Sequence, residues 1–474
     1  MLRKAATVRY FSNSVGTLFT IANLLVITYL LDIYQFALWG VANSLVYIFC
    51  SFGQLTYVQY IEKYFPTYSV DKMNYYLYKF LKTIFLLIVV WLSILYFLKY
   101  TGYFNKFNAE NMHILFLIIS FLTFIESSIE LVSKYLLALK KTQNYDLNEL
   151  FIFKIFRLGL FYLLLINGYS VYYLLLTNLL LRGLLLTRIL NYDSKGLISI
   201  FYQILNSKVK VDNFNNLSYT ATAFSIKTLQ VTFLNVIFIL FSIFVDNETI
   251  ASYSLGILII NNLKPVFASL SVLLAPIISK NIGRKKNNQS LFNLVSNINK
   301  ITIAIVTIIS IYVTKNKFLI SYFLDSFDDS IYNIILISVF ASSIASLYIP
   351  VYLKNLFDDN EKKLLRVISF NYVLCLIAYT IFQNLYEVNI IYVYLLFEIL
   401  NLFLILYFFR EKKSSADFSY SFYPVITYMA ANLFGLNINI AIFWLCIFLI
   451  IVDIIKFINI FKIFIKEKDI DYET

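Results

Sequence analysis

Long apolar runs recur from one end of the chain to the other, and short polar connections separate them. Runs of about 20 residues have the length that an α-helix needs to cross a bilayer. The pattern predicts fourteen membrane-spanning helices, at 11–31, 36–60, 80–99, 112–133, 148–168, 170–190, 218–245, 249–279, 298–320, 331–354, 364–386, 388–409, 418–436 and 438–460. The thirteenth run is the weakest, because Pro424 and Asn432 interrupt it.

Basic residues collect in every second connection between these runs. Lys140 and Lys141 follow the fourth run, for example, and Lys285 and Lys286 follow the eighth. Cytoplasmic loops carry such an excess of Lys and Arg. Since the N-terminal segment and the C-terminal tail are also basic, both termini are predicted to be cytoplasmic.

Composition excludes several classes of protein. Of the 474 residues, 60% are hydrophobic and 14% are charged, whereas a soluble domain carries about a quarter charged residues. The net charge of +12 is explained by loop Lys and Arg, so no nucleic-acid partner is expected. Three separated cysteines and one histidine predict neither a disulfide framework nor a metal or haem site. Without a Gly-rich phosphate loop, no built-in ATPase is expected. We also predict no cofactor and no enzymatic activity.

The run pattern divides the chain into two lobes of six helices, with two further helices at the end. The predicted segments are an N-lobe at 1–190, a cytoplasmic linker at 191–217, a C-lobe at 218–409, and helices 13 and 14 with a tail at 410–474.

A weak internal echo supports this division. Residues 36–42 open the second run, and residues 250–256, which share an aromatic-plus-small pattern with them, open the eighth. We therefore predict an all-α integral membrane protein with two six-helix lobes around a central cavity, an architecture typical of transporters.

Five basic residues lie half-way along apolar runs: Lys154, Arg157, Arg182, Lys227 and Lys264. A charge at the bilayer centre costs about 2.5–3.5 kcal/mol on insertion scales, so such residues normally face a bundle interior or a water-filled cavity. A membrane protein that keeps several of these cations is expected to handle an anionic substrate.

The fourth and fifth runs offer pairs for two of these cations. Counted outward from the intervening turn, Glu130 lies at the depth of Lys154, and Glu126 lies near the depth of Arg157. One interpretation is two neutralising pairs that allow four charges to be buried. The other is that one carboxylate titrates and couples transport to H⁺ or Na⁺.

Arg182, Lys227 and Lys264 have no acid at matching depth on an adjacent run of their own half. We therefore predict that they line the cavity, together with Arg157, and bind the substrate. The alternative is that they pair with acids from distant runs, for which the candidates are Glu126, Glu398 and Asp453.

Lys264 is followed directly by Pro265 and preceded by Asn261 and Asn262. The proline removes one helical hydrogen bond and frees a carbonyl near Asn261. This sequence predicts a kink that lines a cavity or acts as a hinge. Pro276 is a second candidate for that role, although a proline at a helix end is the commoner explanation.

Two segments resemble one known family. The residues from Leu30 to Gly40 (LLDIYQFALWG) look like the first outer loop and second-helix start of the polysaccharide, or O-antigen type, flippases of the multidrug, oligosaccharidyl-lipid and polysaccharide exporter superfamily. The residues from Leu274 to Lys280 (LAPIISK) are similar to the end of that family's eighth helix. The resemblance implies alternating access that flips an undecaprenyl-pyrophosphate-linked oligosaccharide across a bacterial inner membrane for surface polysaccharide synthesis.

The same resemblance implies that Arg157, Arg182, Lys227 and Lys264 contact the pyrophosphate or acidic sugars. The implied partners are the lipid-linked oligosaccharide, membrane lipids and polysaccharide assembly proteins. Two rival functions stay open. An ion-coupled small-solute or drug antiporter of the same superfamily would favour an acidic cavity. A membrane glycan polymerase would need a large outer loop or a group of carboxylates.

Overall fold

Helices make up nearly all of the computed structural model. The described residues are 2–54, 57–107, 111–139, 141–191, 217–282, 300–301, 303–312, 324, 327, 330–357, 360–386, 390–409 and 445–453. The predicted linker, most of it beyond position 191, and the thirteenth run at 418–436 therefore lie outside the described residues.

The described helices follow the predicted runs closely. They are α1 (Leu2–Leu30), α2 (Ile33–Gly53), α3 (Tyr57–Tyr64), α4 (Val70–Tyr100), α5 (Met112–Ala138), α6 (Thr142–Asn148), α7 (Phe156–Ile166), α8 (Val171–Leu190), α9 (Leu217–Phe241), α10 (Asn247–Ile282), α11 (Ile303–Tyr312), α12 (Ser330–Phe357), α13 (Glu361–Tyr386), α14 (Ile390–Phe408) and α15 (445–453). A π-helical segment, Glu149–Ile155, joins α6 to α7.

Eight helices of the described part are long and apolar enough to cross a membrane, and a ninth qualifies if α9 is taken as one span. The prediction of an all-α integral membrane protein is confirmed. The second predicted span at 36–60 is too long, however. Helix α2 ends at Gly53, and a separate short helix, α3, follows it with its polar residues on one face and its apolar residues on the other.

Helix α9 is bent. Its segments Ala221–Gln230 and Phe233–Phe241 meet at an angle of 48°. By contrast, the helical backbone of α10 continues through the predicted kink at Pro265 and through Pro276 to Ile282. The side chains of both prolines lie outside the described residues, so the predicted hinge there stays a prediction.

The echo between the second and eighth runs corresponds to matching helix starts. Asp32 caps α2 by accepting a hydrogen bond from Gln35 N at 2.8 Å, and Asp246 caps α10 by accepting one from Thr249 N at 2.7 Å. An Asp at this position satisfies free N–H groups at the helix start. Asp32 and Asp246 lie four residues before Phe36 and Ile250, which are the first residues of the two echo segments.

The same two helices pack against each other at matching positions. Gly40, the fifth residue of the first echo segment, faces Ser254, the fifth residue of the second. A Cβ atom at position 40 would overlap the Ser254 side chain and lie 3.3 Å from its Cα. A twofold axis between α2 and α10 would bring residues at equivalent positions into contact. The boundary between the two halves therefore passes here. We call α1–α8 the N-half and α9–α14 the C-half.

Candidate functional site

Three clusters of charged and polar side chains lie on the described helices or directly at their ends. The interhalf cluster contains Gln54, Glu130 and Lys227. The N-half cluster contains Glu126, Glu149, Lys154, Arg157 and Arg182. The C-half cluster contains Lys264, Tyr348, Tyr394 and Glu398.

The interhalf cluster joins the two halves through a glutamine. Gln54 directly follows α2, and its buried side chain donates from Nε2 to Glu130 Oε2 and accepts from Lys227 Nζ at Oε1. Lys227 Nζ lies 3.5 Å from Glu130 Oε1. The Glu130 side chain is 42% exposed and that of Lys227 is 18% exposed. Since Glu130 belongs to α5 and Lys227 to α9, this contact crosses the boundary between the halves.

Further contacts between the halves lie at the same end of the bundle, which the charge pattern predicts to be cytoplasmic. The Tyr219 ring of α9 meets the Tyr64 ring of α3 edge-on, with centroids 5.8 Å apart, and Lys63 Nζ lies 4.0 Å from the Tyr219 ring centroid. Nearby, Lys134 and Glu62 form an ion pair at 2.5 Å within the N-half.

The opposite end of the bundle is also closed by contact between the halves. Tyr103, in the connection between α4 and α5, shares a hydrogen bond of 2.6 Å with Ser242, the residue after α9. Burial raises the pKa of Tyr103, so its hydroxyl stays protonated. Gly40 and Ser254 lie toward this end as well, two turns into their helices.

The N-half cluster places two guanidinium groups over one aromatic ring. The central carbons of Arg157 and Arg182 lie 4.3 Å and 3.3 Å from the ring centroid of Phe153. Arg182 Nε lies 2.7 Å from Glu126 Oε1, although the N–H is not aligned for a hydrogen bond, and Arg182 Nη1 lies 3.6 Å from Glu149 Oε1.

Arg157 differs from Arg182 in its polar partner. With the Asn23 amide turned so that its oxygen faces the guanidinium, Arg157 Nε and Nη2 donate to that oxygen at 3.1 and 3.3 Å. No carboxylate among the described residues lies within ion-pair distance of Arg157. The π-helical segment, a feature frequent at functional sites, carries Lys154, whose side chain lies against Gly16 of α1.

The C-half cluster surrounds one carboxylate with three donors. Lys264 Nζ donates to Glu398 Oε1 at 2.7 Å, Tyr348 OH donates to Oε2 at 2.7 Å, and Tyr394 OH donates to Oε1. Lys264 also bonds to the Tyr394 hydroxyl. The Glu398 side chain is only 1% exposed. Its charge is therefore compensated within one half of the molecule.

These contacts correct the sequence-based pairing. The prediction that Arg182, Lys227 and Lys264 are unpaired is wrong, because each lies beside a carboxylate: Glu126, Glu130 and Glu398 respectively. The alternative that distant runs supply the acids was right for Arg182 and Lys264.

The predicted partners of Glu126 and Glu130 change for the same reason. Depth along the fourth and fifth runs suggested Arg157 and Lys154, but helix packing brings Arg182 to Glu126 and Lys227 to Glu130. Depth alone therefore does not determine which side chains meet.

The remaining predicted residues take separate positions. Asn262 Nδ2 donates to Leu258 O within its own helix at 2.7 Å, and Asn261 Nδ2 lies 3.5 Å from Asn235 Oδ1 of α9. Asp453 of α15 is buried and belongs to none of the three clusters. Asn261 thus contributes to the packing of α10 on α9, next to the bend.

Sequence reasoning missed four side chains of the clusters: Gln54, Glu149, Tyr348 and Tyr394. Gln54 had a detectable signal, since it is an amide inside the apolar run predicted at 36–60. No sequence signal distinguished Tyr348 and Tyr394 from the other tyrosines, since the chain contains 39 of them. Among the described residues, no group of three His, Cys, Asp or Glu side chains is placed to hold a metal ion.

Comparison with known proteins identifies the fold. No family model and no curated protein matches the sequence. Solved structures of MATE transporters match the structure over nearly the whole chain. The eukaryotic MATE transporter AtDTX14 aligns with a TM-score of 0.60 and 11% identity, covering 91% of this chain and 98% of that one.

A mutant of the Vibrio cholerae MATE transporter VcmN aligns with a TM-score of 0.58 and 12% identity, covering 86% and 95% of the two chains. A MATE structure in the bent conformation aligns with a TM-score of 0.56 and 11% identity, covering 92% and 95%. At these identities the likeness shows the fold: the chain has the fold of the MATE transporters, which belong to the exporter superfamily named above.

Proposed function

We propose that the protein is a membrane transporter that works by alternating access, with the boundary between the N-half and the C-half as the moving interface. The observation that carries this proposal is the contact of equivalent positions, Gly40 and Ser254, at that boundary. Transporters with two related halves move one half against the other around a site between them. The MATE fold supports the same proposal.

The contacts between the halves suit such a movement. At one end they include the Tyr103–Ser242 hydrogen bond, and at the other the interhalf cluster and the Tyr64–Tyr219 ring contact. A single hydrogen bond contributes about 0.5–1.5 kcal/mol net, so each end opens at small cost when the other end gains contacts. Polar contacts therefore close both ends without locking them.

Paired cysteines test this proposal. After replacement of Cys50, Cys375 and Cys446, one variant carries cysteines at Tyr103 and Ser242, and a second carries them at Tyr64 and Tyr219. A short bifunctional thiol-reactive cross-linker is expected to react with either pair and to stop transport. Full transport by either cross-linked variant would contradict alternating access.

The first candidate substrate class is a small organic solute or drug, exported in exchange for H⁺ or Na⁺. The MATE transporters among the fold neighbours support this class. Glu130 would be the carboxylate that the coupling ion reaches, since it is the most exposed acid of the three clusters. Under this proposal, deleting the gene raises sensitivity to the solute.

The second candidate is flipping of a lipid-linked oligosaccharide across a bacterial inner membrane, with both termini in the cytoplasm. It is supported by Arg157, a buried cation that no described carboxylate contacts. Deletion would then leave lipid-linked sugar on the cytoplasmic leaflet and would not alter drug sensitivity. Measuring leaflet distribution and drug sensitivity in one deletion strain separates the two classes.

A further inference from the structure

Helices α4 and α13 are the least buried of the eight described helices that can cross a membrane, and each half contains one of them. On both helices, exposed side chains repeat at steps of three and four residues, which places them on one face. These residues are Leu86, Val89, Ser93 and Phe97 in α4, and Phe370, Val373, Ile377 and Ile381 in α13. All but the serine are apolar, so we call each row a lipid face and infer that it contacts acyl chains.

A pair of exposed cations begins each lipid face. Lys82 precedes the row of α4 by four residues, and Arg366 precedes the row of α13 by four residues. One turn earlier on the same faces lie Lys79 and Lys362. We call Lys79 and Lys82 the α4 pair, and Lys362 and Arg366 the α13 pair. The two halves therefore carry the same arrangement of basic and apolar side chains on their most exposed spans.

Helix length places both pairs at the surface of the membrane. About 20 helical residues cross the hydrocarbon core. Counted back from the last residues of α4 and α13, Tyr100 and Tyr386, such a stretch begins near positions 81 and 367. The second cation of each pair is next to that position. Since both helices start at the end that the charge pattern predicts to be cytoplasmic, the pairs lie at the level of the headgroups of that leaflet.

The described contacts leave these cations able to bind an anion. Among the described residues, no carboxylate lies within ion-pair distance of Lys82, Lys362 or Arg366. Lys363 differs from its neighbour, because its Nζ donates to Phe408 O at 2.9 Å. That lysine already has a partner at the end of α14 and is not counted in the α13 pair.

The acids around the two pairs differ. Helix α4 contains one acid, Asp71, which is eight residues before Lys79. Helix α13 begins with the buried Glu361, and Asp358 and Asp359 precede it in the sequence. Because like charges repel, an anion is expected to bind the α4 pair more tightly than the α13 pair.

We propose that each pair binds the headgroup of an anionic phospholipid of the cytoplasmic leaflet, whose acyl chains lie along the adjoining lipid face. Lys and Arg donate charge-assisted hydrogen bonds to phosphate oxygens, and basic residues beside a membrane span attract anionic lipids. One lipid belongs to each half and lies outside the boundary between them, so both stay bound when the halves move. This partner is independent of the substrate that the protein transports.

Native mass spectrometry of the full-length protein, released from detergent micelles with added lipid, counts the bound lipids. The wild type is expected to retain two molecules of phosphatidylglycerol and, at the same concentration, no phosphatidylcholine with the same acyl chains. Lys79→Gln with Lys82→Gln should leave one bound lipid, and so should Lys362→Gln with Arg366→Gln. The variant with all four changes should retain none. In a titration, the lipid lost with the α4 pair should have the lower Kd.

Two controls separate lipid binding from charge and folding. Lys79→Arg with Lys82→Arg keeps the cations and should retain both lipids. Lys99→Gln removes one charge from the opposite end of α4 and should also retain both. Equal retention of the two phospholipids by the wild type would overturn the proposal, as would retention of both by the fourfold variant. Loss of a lipid in Lys99→Gln would overturn it too.

Glycerol 3-phosphate tests whether the ligand is a lipid. It carries the anionic group without acyl chains, so it should not displace phosphatidylglycerol at equal concentration. Displacement at equal concentration would show that the pairs bind phosphate alone, and the assignment to a phospholipid would be wrong.

Discussion

The interhalf cluster and the C-half cluster each pair a lysine with a glutamate, but they satisfy the carboxylate differently. Glu398 accepts from Lys264, Tyr348 and Tyr394 and is almost fully buried. Glu130 accepts from Gln54, lies at a looser distance from its lysine, and is 42% exposed. A carboxylate that is fully bonded within one half serves packing, whereas an incompletely bonded one at the boundary can exchange its partner.

Replacing the lysine of each cluster is expected to give the largest difference between the two clusters in the free energy of unfolding. Lys264→Met leaves Glu398 buried without its cation, which is expected to lower the free energy of unfolding by about 3–5 kcal/mol. Lys227→Met removes a looser pair and leaves the buried Gln54 amide oxygen without its donor, which should cost about 1–3 kcal/mol. Unfolding by SDS in mixed micelles measures both values. Similar losses in the two variants would show that the clusters do not differ in this way.

A methyl group at the boundary is expected to have a smaller effect. Gly40→Ala places a Cβ atom against Ser254, and overpacking of this kind costs about 1–3 kcal/mol. Ser254→Gly in the same chain should restore stability by removing the obstructing side chain. Gly183→Ala is the matched control, because its Cβ would meet nothing closer than Ile125 Cδ1 at 3.7 Å. Absence of rescue by Ser254→Gly would contradict the close approach of α2 and α10.

The smallest effect is expected at the end opposite the interhalf cluster. Tyr103→Phe removes the hydroxyl that bonds to Ser242, at a cost of about 0.5–1.5 kcal/mol. The variant should also favour opening of that end, measured as more cross-linking of cysteines placed at Tyr64 and Tyr219. Tyr100→Phe, at a tyrosine that is 91% exposed, should change neither quantity. Equal stability and equal cross-linking of the two variants would show that Tyr103 does not help to close this end.

Local sequence signals predicted the helices that bring these clusters together. The lengths of the apolar runs predicted the eight described helices that are long enough to cross a membrane, and the echo at 36–42 and 250–256 predicted that α2 and α10 are equivalent. The described boundaries differ from the predicted ones in several places: α2 ends at Gly53 and not at 60, and α4 begins at Val70 and not at 80. The sequence singled out five mid-run cations as unusual, and all five lie in the three clusters.

By itself, then, the sequence determined a membrane protein of many helices, since hydrophobic length is a local property of the chain, and its repetition predicted two related halves. The choice of partners was decided only by tertiary structure. Lys227 meets Glu130 and Gln54, and Lys264 meets Glu398, across more than 90 positions of sequence in each case. Ion pairs form over a few ångströms, so which charges neutralise each other depends on which helices pack together, and no pattern along one helix encodes that.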